Sequence, residues 1–359
     1  MAGILSEFRA GGGLFYDSSV SIATDLINNG PLNIGLLTSG RAGLFSSILS
    51  YGVEPDLRLP RLAEWNLTLD RALGSSDAIS VGYAGSQGHH LIRREMGGAG
   101  YSPHAVYAVT TNHGAASYHG LQMQYRRRVA QGLQALVSYS WSHSLDNDSS
   151  DAFLVWAGAG SPPSRDRGSS DFDLRQSLTA AVTYELRGRL RGWAIDSIVH
   201  ARSGFPITVL ANEQYQGITL GNAFRPDRLL SQAIWIDDAN VPGGRSINPA
   251  AFLLAKPGTQ GSLGRNAITG FGMSQLDLAV RRDWRWKERR AIELRLEAFN
   301  ALNQANFADP VKYLSSPVFG QSPSMLNLML GTGSPGSGLA PILQTGGARS
   351  FQGTVRFRF

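Results

Sequence analysis

Four groups of residues carry side chains suited to chemistry, and each group first has to be weighed against a structural role. The chain has seven histidines, and His89, His90, His104, His113 and His119 fall in one loop-rich stretch. Adjacent histidines on an extended chain point to opposite sides, and the spacing matches no known metal signature. Loop or interface histidines are the simpler reading. Ser86 lies in the stretch AGSQG, which lacks both the first glycine of a nucleophile elbow and a following helix, so a hairpin or strand-end turn is expected there. Asp146, Asp148 and Asp151 with Asp166, Asp171 and Asp173 gather carboxylates at the two ends of one long connection. Oxygen-rich loops hold Ca²⁺, but without EF-hand spacing a solvated loop is the expectation.

The fourth group is Glu293, Arg295 and Glu297, two apart, with Asp277 and Arg281 on the preceding segment. An acid/base pair would need two carboxylates in different environments. Alternating opposite charges on neighbouring strands instead form a cross-strand ladder, here one that would line a polar lumen. No catalytic residue, cofactor or metal is expected.

The elements that position these residues show a period of two. In SFQGTVRFRF, Phe351, Gly353, Val355, Phe357 and Phe359 share one face and Ser350, Gln352, Thr354, Arg356 and Arg358 the other. A helix would mix the two sets. The same alternation sets Ile292, Leu294, Leu296 and Ala298 against Glu293, Arg295 and Glu297, and Leu276, Leu278 and Val280 against Asp277 and Arg281. About ten strands are predicted, at 8–17, 64–72, 77–86, 117–128, 133–145, 174–186, 191–209, 274–285, 290–301 and 350–359. Within 191–209 the alternation slips near Ser197, which predicts a bulge or bend.

Connections alternate strictly. Short turns lie near Gly74, Gln131, Gly188 and Lys287, and long Gly, Ser, Pro and Asn-rich connections at 18–63, 87–116, 146–173, 210–273 and 302–349. An up-and-down sheet then has every short turn at one end and every long loop at the other, as in outer-membrane barrels. Strands near ten residues match the roughly 9–11 needed to cross a bilayer at a tilt, and a compact sandwich seldom carries several loops longer than roughly 12–15 residues. Tyr139, Trp141, Trp193, Trp284 and Trp286 fall near strand ends, where an aromatic girdle at the membrane interface is expected. Arg71 and Arg127, on the apolar face at strand ends, are placed to snorkel.

Composition fits this architecture. Glycine stands at 42 of 359 residues, charged residues at 17% and cysteine at zero, which removes disulfides, thiolate metal sites and cysteine nucleophiles together. No apolar run approaches the roughly 18 residues of a membrane helix. The net charge of +6 is scattered without a basic tract, so nucleic-acid binding is not expected. The first residues, MAGILSEFRAGGG, read as no secretion signal.

Several stretches resemble the C-terminal barrel of the Oar-like TonB-dependent outer-membrane receptors. They are SINPAAFLLAKPGTQGSLGRNAITGFGMSQLDLAVRRDW, RAIELRLEAFNALNQANFADP, FRAGGGLFYD, EWNLTLDRAL, VGYAGSQGHHL, YHGLQMQYRRRVAQGLQALVSYSWSHSLD, GSSDFDLRQSLTAAVTYEL and GWAIDSIVHARSGFPITV, with the pair Arg225-Pro226. They cover most of the chain in the family's order. The resemblance implies an antiparallel transmembrane β-barrel in the bacterial outer membrane, part of a 22-stranded architecture, that binds and passes a bulky solute of unidentified chemistry. Residues 1–359 would be the C-terminal portion, without the family's signal peptide, N-terminal β-domain and plug. The expected partners are outer-membrane lipid, the barrel-assembly machinery, and the TonB system only where a plug is supplied. The terminal strand, through Val355, Phe357 and Phe359, is the expected assembly signal. A plug-free passive pore and a soluble or surface-attached β-rich binding protein are the alternative readings.

Overall fold

A computed structural model of the chain describes residues 6–17, 34–38, 46–98, 105–149, 163–215, 218–256, 259–285, 290–330 and 345–359. Ten long strands form one antiparallel meander: β1 (Ser6–Tyr16), β2 (Arg61–Leu73), β3 (Asp77–Gly98), β4 (Ala105–Ala130), β5 (Leu133–Asp146), β6 (Gln176–Glu185), β7 (Trp193–Arg202), β8 (Met273–Arg285), β9 (Ala291–Phe299) and β10 (Ser350–Arg358). Each pairs with its neighbour in sequence. No ladder joins β1 to β10 among the described residues, so the sheet is open.

Register explains the alternation. Phe8, Leu69, Val81, Met123, Tyr139 and Leu178 lie directly opposite one another from β1 to β6. A second row runs through Tyr184, Ile195, Val280 and Leu296 to Gly353 of β10. These rows are exposed or half-buried, with Leu296 at 59%. Because successive side chains switch faces, everything between the apolar positions turns to the other side.

The turn at Gln131-Gly132 shows why short connections suffice. Both residues have positive φ, 55° and 82°, the backbone of a two-residue hairpin whose twist matches that of its strands. The turn expected near Lys287 lies outside the described residues.

Three expectations change. The connection at 87–116 is largely β-structure: β3 and β4 run to 22 and 26 residues, with register shifts between Gly88 and Arg93 that let the long hairpin bend. Ser86 therefore sits inside the ladder opposite Glu64 and Tyr118, not in a turn. The strand expected to reach 209 stops at Arg202, and just beyond it Gly204 packs so tightly against the Gly270 carbonyl that a Cβ would meet its oxygen at 2.3 Å. Finally, there is no bulge at Ser197. Both ladders of β7 run continuously through it, and the slip instead puts Ile198 on the polar face.

The long connection from 203 to 272 folds into short hairpins, including 206–207 with 268–269 and 235–237 with 245–247. Ile207, Val209, Ile247, Ala251, Phe252, Leu263, Ile268 and Phe319 form a buried core there. We refer to this unit, with residues 305–327 packed on it, as the cap.

Candidate functional site

The polar face of β7–β10 carries a connected set of charges. Arg281 lies directly opposite Arg295, and Asp283 opposite Glu293; like charges in such positions repel. Diagonal neighbours resolve both conflicts. Asp196 of β7 lies 3.4 Å from Arg281 Nε and 3.6 Å from Arg295 Nη1, and accepts a 2.7 Å hydrogen bond from Thr183. Arg281 also faces Glu185 at 3.7 Å and Asp283 at 3.6 Å, while Arg295 Nε donates to Glu297 at 2.9 Å. Glu293 collects Arg358 at 3.3 Å and Arg356 at 3.9 Å. A 420 Å³ concavity opens over this network.

Arg281, Glu293, Arg295 and Glu297 are thus brought together. Asp277 shares their face but stands apart. It accepts from Gln275 Nε2 at 2.9 Å and from the Asn300 backbone at 2.7 Å, fastening the end of β8 to the chain leaving β9. Asp196, which joins two arginines, was missed by the sequence reading because the phase slip at Ser197 hid the face it occupies. The polar face of β2–β6 differs in lacking charge over its middle: Thr68, Ser80, Gln122, Gln124, Ser138, Ser140, Ser177 and Thr179 line a 360 Å³ hollow.

Asp146, Asp166 and Asp173 of the long loop are buried, whereas Asp171 is exposed as expected. Asp166 is buried, and its two oxygens are taken by different arginines, Oδ2 by Arg93 of the β3 hairpin arm and Oδ1 by Arg225 of the cap at 2.7 Å. Arg265 binds Asp146, and Asp171 at 3.3 Å. Asp173, also buried, accepts from the Ser144 backbone at 2.8 Å and contacts His143 at 3.0 Å. These carboxylates face guanidinium groups and N–H donors, an environment that repels a cation. Asp151 lies outside the described residues.

The histidines disperse. His113 contacts Glu95 at 3.1 Å, His119 contacts the Tyr83 hydroxyl at 2.7 Å, and His200 faces Thr179 at 3.4 Å. His104 is outside the described residues. Aromatics gather at two levels of the apolar face. Trp65, Tyr83 and His119 cluster toward the long-loop end, with the Trp65 indole lying over Gly85. Trp193 and Trp284 stand at the short-turn end, and Trp286 is outside the described residues. Val355 and Phe357 project on the apolar side opposite Leu294 and Ile292, and Phe359 is 95% exposed.

An open antiparallel sheet with an apolar exterior, most strand charges on its other face and a folded cap over the long-loop end defines a membrane β-barrel wall. Residues 7–327 match the family model for the outer membrane beta barrel domain. The chain belongs to that family, and its place is the bacterial outer membrane. No curated protein matches it. Among solved structures it is similar to the outer membrane transporter YddB from Escherichia coli, at 11% identity and TM-score 0.53, covering 99% of this chain and 38% of that one. It is also similar to the FrpB iron transporter from Neisseria meningitidis, at 13% identity and TM-score 0.43, covering 86% and 33%. A third is BauA, the ferric preacinetobactin receptor from Acinetobacter baumannii, at 8% identity and TM-score 0.43, covering 84% and 30%. The chain thus spans less than two fifths of the length of these structures. The fold is the outer-membrane β-barrel that the sequence resemblance implies.

Proposed function

We propose that residues 1–359 form the C-terminal part of a larger receptor barrel that captures a bulky solute at its long-loop end and passes it along the polar face. The observation that carries this reading is the pairing of a folded, arginine-latched cap with a charged inner wall beneath it. Asp277, Arg281, Glu293, Arg295 and Glu297 would line the lumen, together with Asp196. Energy-coupled uptake through TonB would require a plug, and enzymatic chemistry plays no part. Topology tests the reading. With a cysteine-free background, Leu230→Cys in the cap should be labelled by an impermeant maleimide on intact cells and Gln131→Cys should not; the reverse pattern would invert the assignment.

Assembly is part of the proposal. Val355, Phe357 and Phe359 form an exposed apolar ending with two aromatic rings, suited to recognition by the barrel-assembly machinery. Deleting Phe359 should slow insertion in cells and leave refolding in detergent nearly unchanged. Normal insertion after the deletion would leave Phe359 only a packing role.

A further inference from the structure

The next residue along β8 from the charge network presents the opposite situation. Arg281 has three carboxylates around it; Arg282 points to the apolar face and has none among the described residues. Directly across from Arg282 stand Trp193 on β7 and Leu294 on β9. Its guanidinium lies 5.2 Å from the Trp193 ring centre and 5.6 Å from that of Trp284. One N–H donates to the Arg191 carbonyl at 3.0 Å. Arg127, the comparable arginine on the apolar side of β4, is by contrast neutralised by Asp77 at 3.2 Å.

The adjoining turn adds charge of the same sign. Between Leu186 and Gly192 the chain reads Arg187, Gly188, Arg189, Leu190, Arg191, with no acid and all three arginines exposed. A guanidinium held between two indoles at a lipid-facing level keeps its fork oriented and is weakly hydrated, which suits it to a phosphate oxygen pair. Indoles of this kind sit where acyl chains give way to headgroups.

We propose that Arg282, between Trp193 and Trp284, holds the phosphodiester of an anionic phospholipid, with the turn arginines supplying the surrounding positive field. The lipid then occupies the leaflet at the short-turn end. The inference rests on the proposed membrane placement, but lipid retention in detergent is independent of which end faces the periplasm, so labelling and lipid binding fail separately.

Native mass spectrometry of the full chain in detergent, with added phosphatidylglycerol or phosphatidylcholine, tests it. Phosphatidylglycerol should be retained about fivefold more than phosphatidylcholine, because the choline ammonium offsets the phosphodiester charge that Arg282 and the turn arginines attract. Arg282→Gln should sharply reduce that preference, the turn arginines keeping a remnant of it, and Arg71→Gln, an exposed arginine on β2, should leave it whole. Equal retention by Arg282→Gln, or equal loss in Arg71→Gln, would overturn the site, as would displacement by millimolar inorganic phosphate or preference for lipid A. Tryptophan quenching by brominated phosphatidylglycerol in the wild-type chain gives a second readout that needs no variant at position 282. Quenching should exceed that by brominated phosphatidylcholine and the excess should vanish in Trp193→Phe/Trp284→Phe; no excess would overturn the proposal.

Discussion

The strand meander and the cap spend the same kinds of residues in opposite ways. Along the strands, Leu67, Leu69, Ile195, Val280, Leu296 and Val355 are exposed, and charges turn to the other face except at strand ends such as Arg127 and Arg282. In the cap, Val209, Ile247 and Ala251 have no exposure at all, and the strands are short, two or three residues in three of its ladders and five and seven in a fourth. The difference teaches what each region has for a solvent. Lipid accepts the apolar rows without a second layer to cover them, whereas a unit facing water has to enclose its own core.

The largest expected effect breaks the latch that joins the two regions. Asp166→Asn leaves Arg225 buried without its carboxylate and Arg93 with only Glu95 at 3.5 Å, and should weaken cap folding by about 3–5 kcal/mol; limited proteolysis at residues 203–272 would reveal it, while the heat-modifiable mobility of the barrel stays unchanged. Next is Ile247→Ala, which opens a hole in the cap core at a cost of about 2–5 kcal/mol, measured as a lowered denaturant midpoint for cap fluorescence. The matching change in the sheet is Leu296→Arg. It should cost about 2–4 kcal/mol when folding is measured in lipid vesicles and leave cap protease resistance as it was. Equal loss of cap and strand stability in any of these variants would merge the two regions into one unit.

A smaller effect sharpens the comparison through pH. Burial pushes the Asp309 carboxyl of the cap up to about 6 from 3.8, against the opposing pull of Arg202 and then Lys312. A carboxyl with a raised folded pKa binds its proton more tightly when folded. Its stabilising contribution is therefore complete below about 4 and is lost as pH rises through about 6. Cap stability should fall over that window by on the order of 1 kcal/mol. Asp309→Asn should flatten the profile, and an unchanged slope would remove Asp309 as its source.

Strand positions were legible in the sequence because a two-residue period leaves its mark locally. The segments 133–145 and 274–285 differ from β5 and β8 by one residue at one end. The cap was not legible. Ile207 meets Ile268, and Phe252 meets Phe319 at 6.0 Å between rings, contacts that join distant segments and carry no period. The charge network was half legible: Glu293, Arg295 and Glu297 follow from alternation within one strand, but Asp196 becomes visible only once register brings β7 beside β8. The latch was hidden for a similar reason. Asp166 looked like one acid among several until the fold delivered two arginines from 73 residues before it and 59 after it.

The long hairpin of β3 and β4 carries a rule for how this molecule tolerates change. Crossing a bilayer needs roughly 9–11 residues per strand, so about half of each arm stands clear of the membrane and sets the height at which Arg93 meets the cap latch. Lost residues would act there in whole steps. Removing two from each arm would shorten the mast and return every side chain to its own face, whereas removing one would swap inside for outside along everything beyond the cut. Length variation in this hairpin is therefore quantised, and drift among descendants of this sequence should accumulate in matched, even increments.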